Sequence, residues 1–363
     1  MSERPARQMR THTMRTTLTL TLLAALALPA PVRAGTADAD PRVHPGLLHY
    51  TTGESLPEQR GQVTQTDRTS RTVRLQTDGE LDVANISGDI IVQQGSGADA
   101  TIEITRTARA ASDADAQELL QLVQVEITER PNRVEVRAHY PRGEGGRRQN
   151  RRNSEVEVQY NITVPAGVRV RAHSIAGSIS ARGVTSELSA ESVSGNVIVE
   201  KAGRLRSAKS ISGNVQITET SIDGPFQVSS VSGNLVLRGI EAQQLDAGAI
   251  SGDIILDGVT CPRLKVQTVS GDVQFNGPLP RSGRYELNSH SGDISVGVAG
   301  NPGFQIEATS FSGSVHSDFP LEKGGAGDGR PGGRQRTVRG VYGDGSAFLN
   351  LTTFSGDITV SKR

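Results

Sequence analysis

Three aspartates, Asp253, Asp272 and Asp293, recur at spacings of 19 and 21 residues, each after a Ser-Gly pair. Carboxylates repeated at a fixed period can bridge a cation, act as a general acid and base, or bond backbone amides. Asn196, Asn214 and Asn234 hold the same place in earlier copies, and the Gly-Gly-x-Gly-x-Asp pattern of calcium β-rolls is missing. A structural corner is therefore the simpler reading. Two arginine clusters offer a different chemistry: Arg142, Arg147, Arg148, Arg151 and Arg152 in one loop, and Arg330, Arg334, Arg336 and Arg339 in another. Of these, Arg147, Arg148, Arg151, Arg152, Arg334 and Arg336 are the candidate contacts to an anionic polymer or partner, through forked guanidinium bonds. His290 and His316 sit in neighbouring repeats but at different offsets from the Ser-Gly pair, which does not suit a shared metal site. No nucleophile elbow, phosphate loop, zinc motif or cysteine pair is present, so neither catalysis nor a cofactor is expected.

The elements that carry these residues are repeats. Corner glycines fall at Gly195, Gly213, Gly233, Gly252, Gly271, Gly292, Gly313 and Gly356, separated by 18, 20, 19, 19, 21, 21 and 43 residues. Weaker copies place Gly177 one period earlier and Gly88 far upstream. In LKVQTVSGDVQF, Leu264 and Val266 share one parity while Val269, Val273 and Phe275 share the other, so the inward face changes around Val269 to Gly271. A glycine at such a bulge or corner, followed by Asp or Asn in an Asx turn, accounts for the motif. Stacked coils would align Ser194, Ser212, Ser232, Ser251, Ser270, Ser291, Ser312 and Ser355 as a hydroxyl column. The expected fold is all-β: a single-body β-solenoid of 18–21-residue repeats, with an N-terminal β region carrying one short covering helix. That helix should start near Ser112, where Ser112 and Asp115 form a capping box and Ala116, Leu119, Leu120 and Val123 share a face.

Composition agrees with this reading. Tryptophan is absent and aromatics make up 3%, so the core must be filled by Val, Ile and Leu. Lys+Arg and Asp+Glu both total 39, and this balance gives no drive towards nucleic acid. The lone cysteine, Cys261, can form no intrachain disulfide and reads as a small apolar filler. Arg4, Arg7, Arg10 and Arg15 precede the apolar stretch TLTLLAALALPA and then Val32-Arg33-Ala34, so residues 1–34 read as an export signal, cleaved before Gly35 or, as the alternative, retained as a membrane anchor. Residues 35–70 read as a flexible leader and 71–363 as the folded body: 71–165 its N-terminal part and cap, 166–363 the repeat array with an inserted loop at about 321–345. No later stretch is apolar enough to span a membrane. Lys362 and Arg363, following the last strand, would discourage edge pairing and favour a monomer.

The early LDVANISGDIIV, the short helix and the tandem S-[IVF]-S-G-[DN]-[VIL] copies resemble the bacterial "putative adhesin" family across roughly residues 71–363. The resemblance implies a β-solenoid-like, exported domain, periplasmic or cell-surface associated, and carries no catalytic residues. The function expected is a structural or interaction protein of the cell envelope, with an envelope polymer or envelope protein as partner. The alternatives are an accessory of envelope stress acting through a protein partner, and a β-helix carbohydrate-active enzyme.

Overall fold

A strand alternates its faces, so a repeat whose apolar residues change parity must turn where the change occurs. In the computed structural model, which describes residues 62–140, 155–323 and 336–363, that turn falls on the glycine of each Ser-Gly-Asp/Asn segment. In the Gly195 coil the first arm, Glu187–Ser194, buries Leu188, Ala190 and Ser192, and the second arm, Val197–Glu200, buries Val197 and Val199. Val269 corrects the sequence reading: it is exposed, while Leu264, Val266 and Thr268 before the turn and Val273 and Phe275 after it point inward. The parity change lies at Gly271 itself, which leaves the residue two places earlier facing solvent.

Equivalent arms stack in parallel register. Ser192 lies between Ser174 and Ser210, and Val197 lies between Ile179 and Val215. The result is an all-β solenoid with two parallel ladders enclosing one column of Val, Ile and Leu, into which Tyr160, Phe226, Phe275, Tyr285 and Phe304 are fully buried. No coil could bury its apolar face alone. Cys261 is buried in this column and bonds the Arg263 carbonyl at 2.9 Å, and its burial pushes the thiol pKa up.

Coil order along the body departs from sequence order at both ends. The Gly88 coil, Glu80–Ser87 and Ile90–Gln94, does not begin the stack. It lies between Arg133–His139 and Glu155–Val164 on one side and the Gly177 coil on the other. At the far end, Thr337–Tyr342 runs antiparallel to Phe304–Ser310, after which the chain turns and lays Ala347–Ser355 on the other side of that same strand. The last coil thus slots between the Gly292 and Gly313 coils, with Ala347–Ser355 also paired to Arg284–Ser291. Two expectations are corrected by this. The C-terminal strand Ile358–Lys362 is not an edge, since Ile294–Ala299 and Val315–Ser317 flank it, so Lys362 and Arg363 guard no open edge. Residues 337–342, assigned to an inserted loop, form a strand; the basic segment between 324 and 335 lies outside the described residues.

The N-terminal part also differs from expectation in one place. Residues 63–70, read as leader, belong to the strand Val63–Arg74, which pairs antiparallel with Asp99–Ala110 along its whole length. Its side chains are mostly exposed, so it lacks the half-apolar alternation that would reveal it. The Thr-rich backbone is held by ladder bonds rather than by burial. The helix Asp113–Leu122 starts as anticipated, with Ser112 Oγ accepting the Asp115 N–H at 3.2 Å, and packs Ala116, Leu119 and Leu120 on Ala108 and Ala110. Among the described residues no helix is long and apolar enough to cross a membrane.

Candidate functional site

Every chemically suggestive column of the sequence meets at the corner. The glycines Gly195, Gly213, Gly233, Gly252, Gly271, Gly292, Gly313 and Gly356 form one stack, extended by Gly177 and Gly88. A methyl group added to any of those eight would lie 2.1–2.3 Å from the carbonyl oxygen of the adjacent corner glycine. Coils can approach to ladder distance there only if the side chain is absent.

The residue after each glycine bonds along the stack, and not within its own turn as an Asx turn would require. Asp253 Oδ1 accepts the Asp272 N–H at 3.0 Å, Asp272 Oδ1 accepts the Asp293 N–H at 2.9 Å, and Asp293 Oδ1 accepts the Asp357 N–H at 2.7 Å. Asn196, Asn214 and Asn234 make the same bond to the next coil at 2.8–2.9 Å. Asn supplies the same amide-accepting oxygen as Asp, which explains why either can hold the position. Among the described residues no group of three or more His, Cys, Asp or Glu is placed to hold a metal ion. Asp272→Asn should therefore leave stability unchanged or raise it slightly, by easing repulsion within the exposed column, an effect that salt would screen. Asp272→Ala, which strands the Asp293 N–H, should cost about 1 kcal/mol. Thermal midpoints at low and high salt measure both.

The hydroxyl column also differs from expectation. Ser194 and its equivalents are exposed; the buried hydroxyls lie two residues earlier. Ser192, Ser210, Ser230 and Ser289 donate to the carbonyls of Gly177, Gly195, Gly213 and Gly271 at 2.9–3.2 Å. These bonds satisfy the glycine carbonyls that face the stack.

Between the two serines stands the residue that the sequence reading passed over. In stacking order Ile86, Ile175, Val193, Ile211, Val231, Ile250 and Val269, then His290, Phe354 and Phe311, form one exposed ridge, its apolar members 41–62% accessible. Its upper end is a ring stack: His290 on Phe354 at 5.0 Å and 14°, and Phe354 on Phe311 at 4.7 Å and 8°. Beside the ridge runs a shallow groove in two stretches of about 770 and 540 Å3 that share Ser229 and Val231. The upper stretch is flanked by uncharged Gly248, Gln267, Asn288 and Thr352. The lower is flanked by Arg137, His139, His173, Glu191 and Lys209, of which Arg137 reaches Asp82 at 3.3 Å and His173 lies 3.7 Å from Glu191. Stacked β-branched side chains stabilise neighbouring coils, but they remain about half exposed after doing so. Roughly 700 Å2 of contiguous apolar surface results, taking half of about 150 Å2 for each large side chain, and that exceeds the patches usual on monomers.

Arg142, Arg147, Arg148, Arg151, Arg152, Arg330 and Arg334 lie outside the described residues. Arg336 is exposed and its carbonyl accepts the Ser310 N–H at 2.8 Å, while Arg339 pairs with Glu307 at 2.9 Å. His316 bonds Asp318 at 3.0 Å, apart from His290.

The Toastrack DUF4097 profile matches residues 79–361. Solved structures that the chain matches include a "putative cell adhesion protein" from Clostridium sporogenes, 10% identical with a TM-score of 0.23, covering 82% of this chain and 100% of that one. A "putative lipid binding protein" from Parabacteroides distasonis is 15% identical with a TM-score of 0.34, covering 82% and 97%. A "putative adhesin" from Bacteroides fragilis is 12% identical with a TM-score of 0.33, covering 81% and 97%. No curated protein matches the chain by sequence.

Proposed function

The chain belongs to the Toastrack DUF4097 family, and from that premise we propose that it is an exported, non-enzymatic interaction protein of the bacterial cell envelope, adhesin-like, whose contact surface is the apolar ridge. One observation carries this reading: ten successive coils expose a large apolar or aromatic side chain at the same corner position, where the core does not need one. Burial of such a ridge against a partner is favourable at roughly 25 cal/mol per Å2. Export is supported by the arginine-rich start and apolar stretch of residues 1–34. The aspartates that could serve a carbohydrate enzyme are engaged as amide acceptors along the stack, which favours the non-catalytic reading.

The test is retention of the purified chain on isolated envelope fractions. Ile211→Glu combined with Val269→Glu, both at exposed positions, should weaken retention at least tenfold, as expected if each removes roughly 1 kcal/mol of apolar contact. Retention that is unchanged in this variant, or absent for the parent chain on every fraction, would overturn the reading.

A further inference from the structure

We propose that the ridge packs against the ridge of a second copy of this chain, antiparallel about a two-fold axis that crosses between Val231 and Ile250. The proposal rests on the reading of the ridge as a contact surface and names its partner, so that ridge-dependent retention on an envelope fraction would be capture by copies of the chain held there. Area is the first argument. The roughly 700 Å2 of apolar surface on the ridge approaches the ~800 Å2 that each partner contributes to a stable protein interface, before the groove walls are counted. A two-fold axis lying across the rod sets ridge on ridge, the same patch on both copies, as an isologous contact requires.

Charge placement is the second argument. In stacking order the column next to the ridge runs Asp89, Ser178, Asn196, Asn214 and Asn234, then Asp253, Asp272, Asp293, Asp357 and Ser314. A two-fold axis between Val231 and Ile250 sets Asp253 opposite Asn234, Asp272 opposite Asn214 and Asp293 opposite Asn196 of the second copy. Each Asn Oδ1 is already committed to the stack, so its amide is the donor that an opposing carboxylate needs. The groove wall also changes along the rod, with Arg137, Glu191 and Lys209 in the lower stretch and Gln267, Asn288 and Thr352 in the upper. Antiparallel packing brings charged wall against uncharged wall. A membrane surface fits less well, because anionic headgroups would meet the aspartates flanking the ridge.

The experiment uses the full chain in three measurements. Light scattering across the micromolar range should give a dimer, and Ile250→Glu, at an exposed position, should raise its dissociation constant at least 100-fold while leaving the circular dichroism spectrum and melting temperature in place. A mixture of Ile175→Cys and Phe354→Cys chains should form an intermolecular disulfide between the two variants, whereas neither variant alone should, because like residues of an antiparallel pair would be about 34 Å apart at ~4.8 Å per coil. Buried Cys261 does not compete for that bond.

A dimer with heterotypic crosslinking and Ile250→Glu sensitivity supports the proposal. Homotypic crosslinks, or a dimer indifferent to Ile250→Glu, overturn it. So does a chain that is monomeric throughout, or one that floats as a monomer with phosphatidylglycerol vesicles through the ridge. A monomer whose envelope retention still falls in the Ile211→Glu, Val269→Glu variant overturns only the second-copy assignment and leaves the proposed function standing. A monomer with unaffected retention overturns both.

Discussion

Replacing Gly252 with alanine is expected to destabilise the fold by about 3–5 kcal/mol and to lower the urea midpoint by about 1 M or more. Two penalties add at this position. Gly252 has φ 146°, a conformation in which a side chain costs roughly 1–3 kcal/mol, and its added methyl would lie 2.3 Å from the Gly233 carbonyl oxygen. Neither coil can give way. Gly252 N–H is held by Ser270 O at 2.9 Å and Gly233 N–H by Ser251 O at 3.0 Å, so separation breaks ladder bonds on both sides. Gly248, four residues earlier in the same coil, supplies the control: an added methyl meets nothing within 4 Å, and Gly248→Ala should change stability by less than about 0.5 kcal/mol. Equal midpoints for the two variants would refute the close-approach account of the corner.

The second large effect expected is alkaline unfolding. Burial raises the pKa of Tyr160 and Tyr285 well above the usual phenol value of 10, and burial, opposed in part by the backbone at Ser87 and aided by the nearby Glu157 charge, carries Tyr140 to about 12. The unfolded chain would release these protons near pH 10 and the folded chain only later. Their contribution is therefore intact below pH 10 and is lost as pH climbs from 10 through the folded values. Each fully buried phenol, Tyr160 and Tyr285, steepens that loss by up to ~1.4 kcal/mol per pH unit. Tyrosinate absorbance, free of tryptophan overlap because the chain has none, should rise together with the collapse of near-ultraviolet dichroism. Ionisation of these three tyrosines with the fold intact at pH 11 would contradict it.

The repeat, its period and its glycine corner were legible because backbone closeness leaves a direct mark: only glycine fits, so glycine recurs. The helix was legible from Ser112 and Asp115 because capping is local. Coil order was not, because the antiparallel strand Thr337–Tyr342 decides it and no periodicity records where a chain doubles back. The ridge was overlooked because Val269 was grouped by parity with Val273 and Phe275, across the very glycine that resets parity. Counting parity only up to the glycine would have found it: Leu188, Ala190 and Ser192 alternate inward, and Val193 must then face out. The strand Val63–Arg74 left no signal of that kind, since ladder pairing without burial imposes no apolar pattern.

The threading of the first and last coils also determines how the body bears force. The Gly88 coil and the Gly356 coil each have a neighbouring coil on both sides. Tension delivered through residue 363 therefore cannot unravel the rod from its tip one coil at a time. It must shear the last coil against two flanking ladders together, along the strand direction in which many bonds share the load. A protein tethered at its ends would resist drag as a single bolt rather than as a stack that peels.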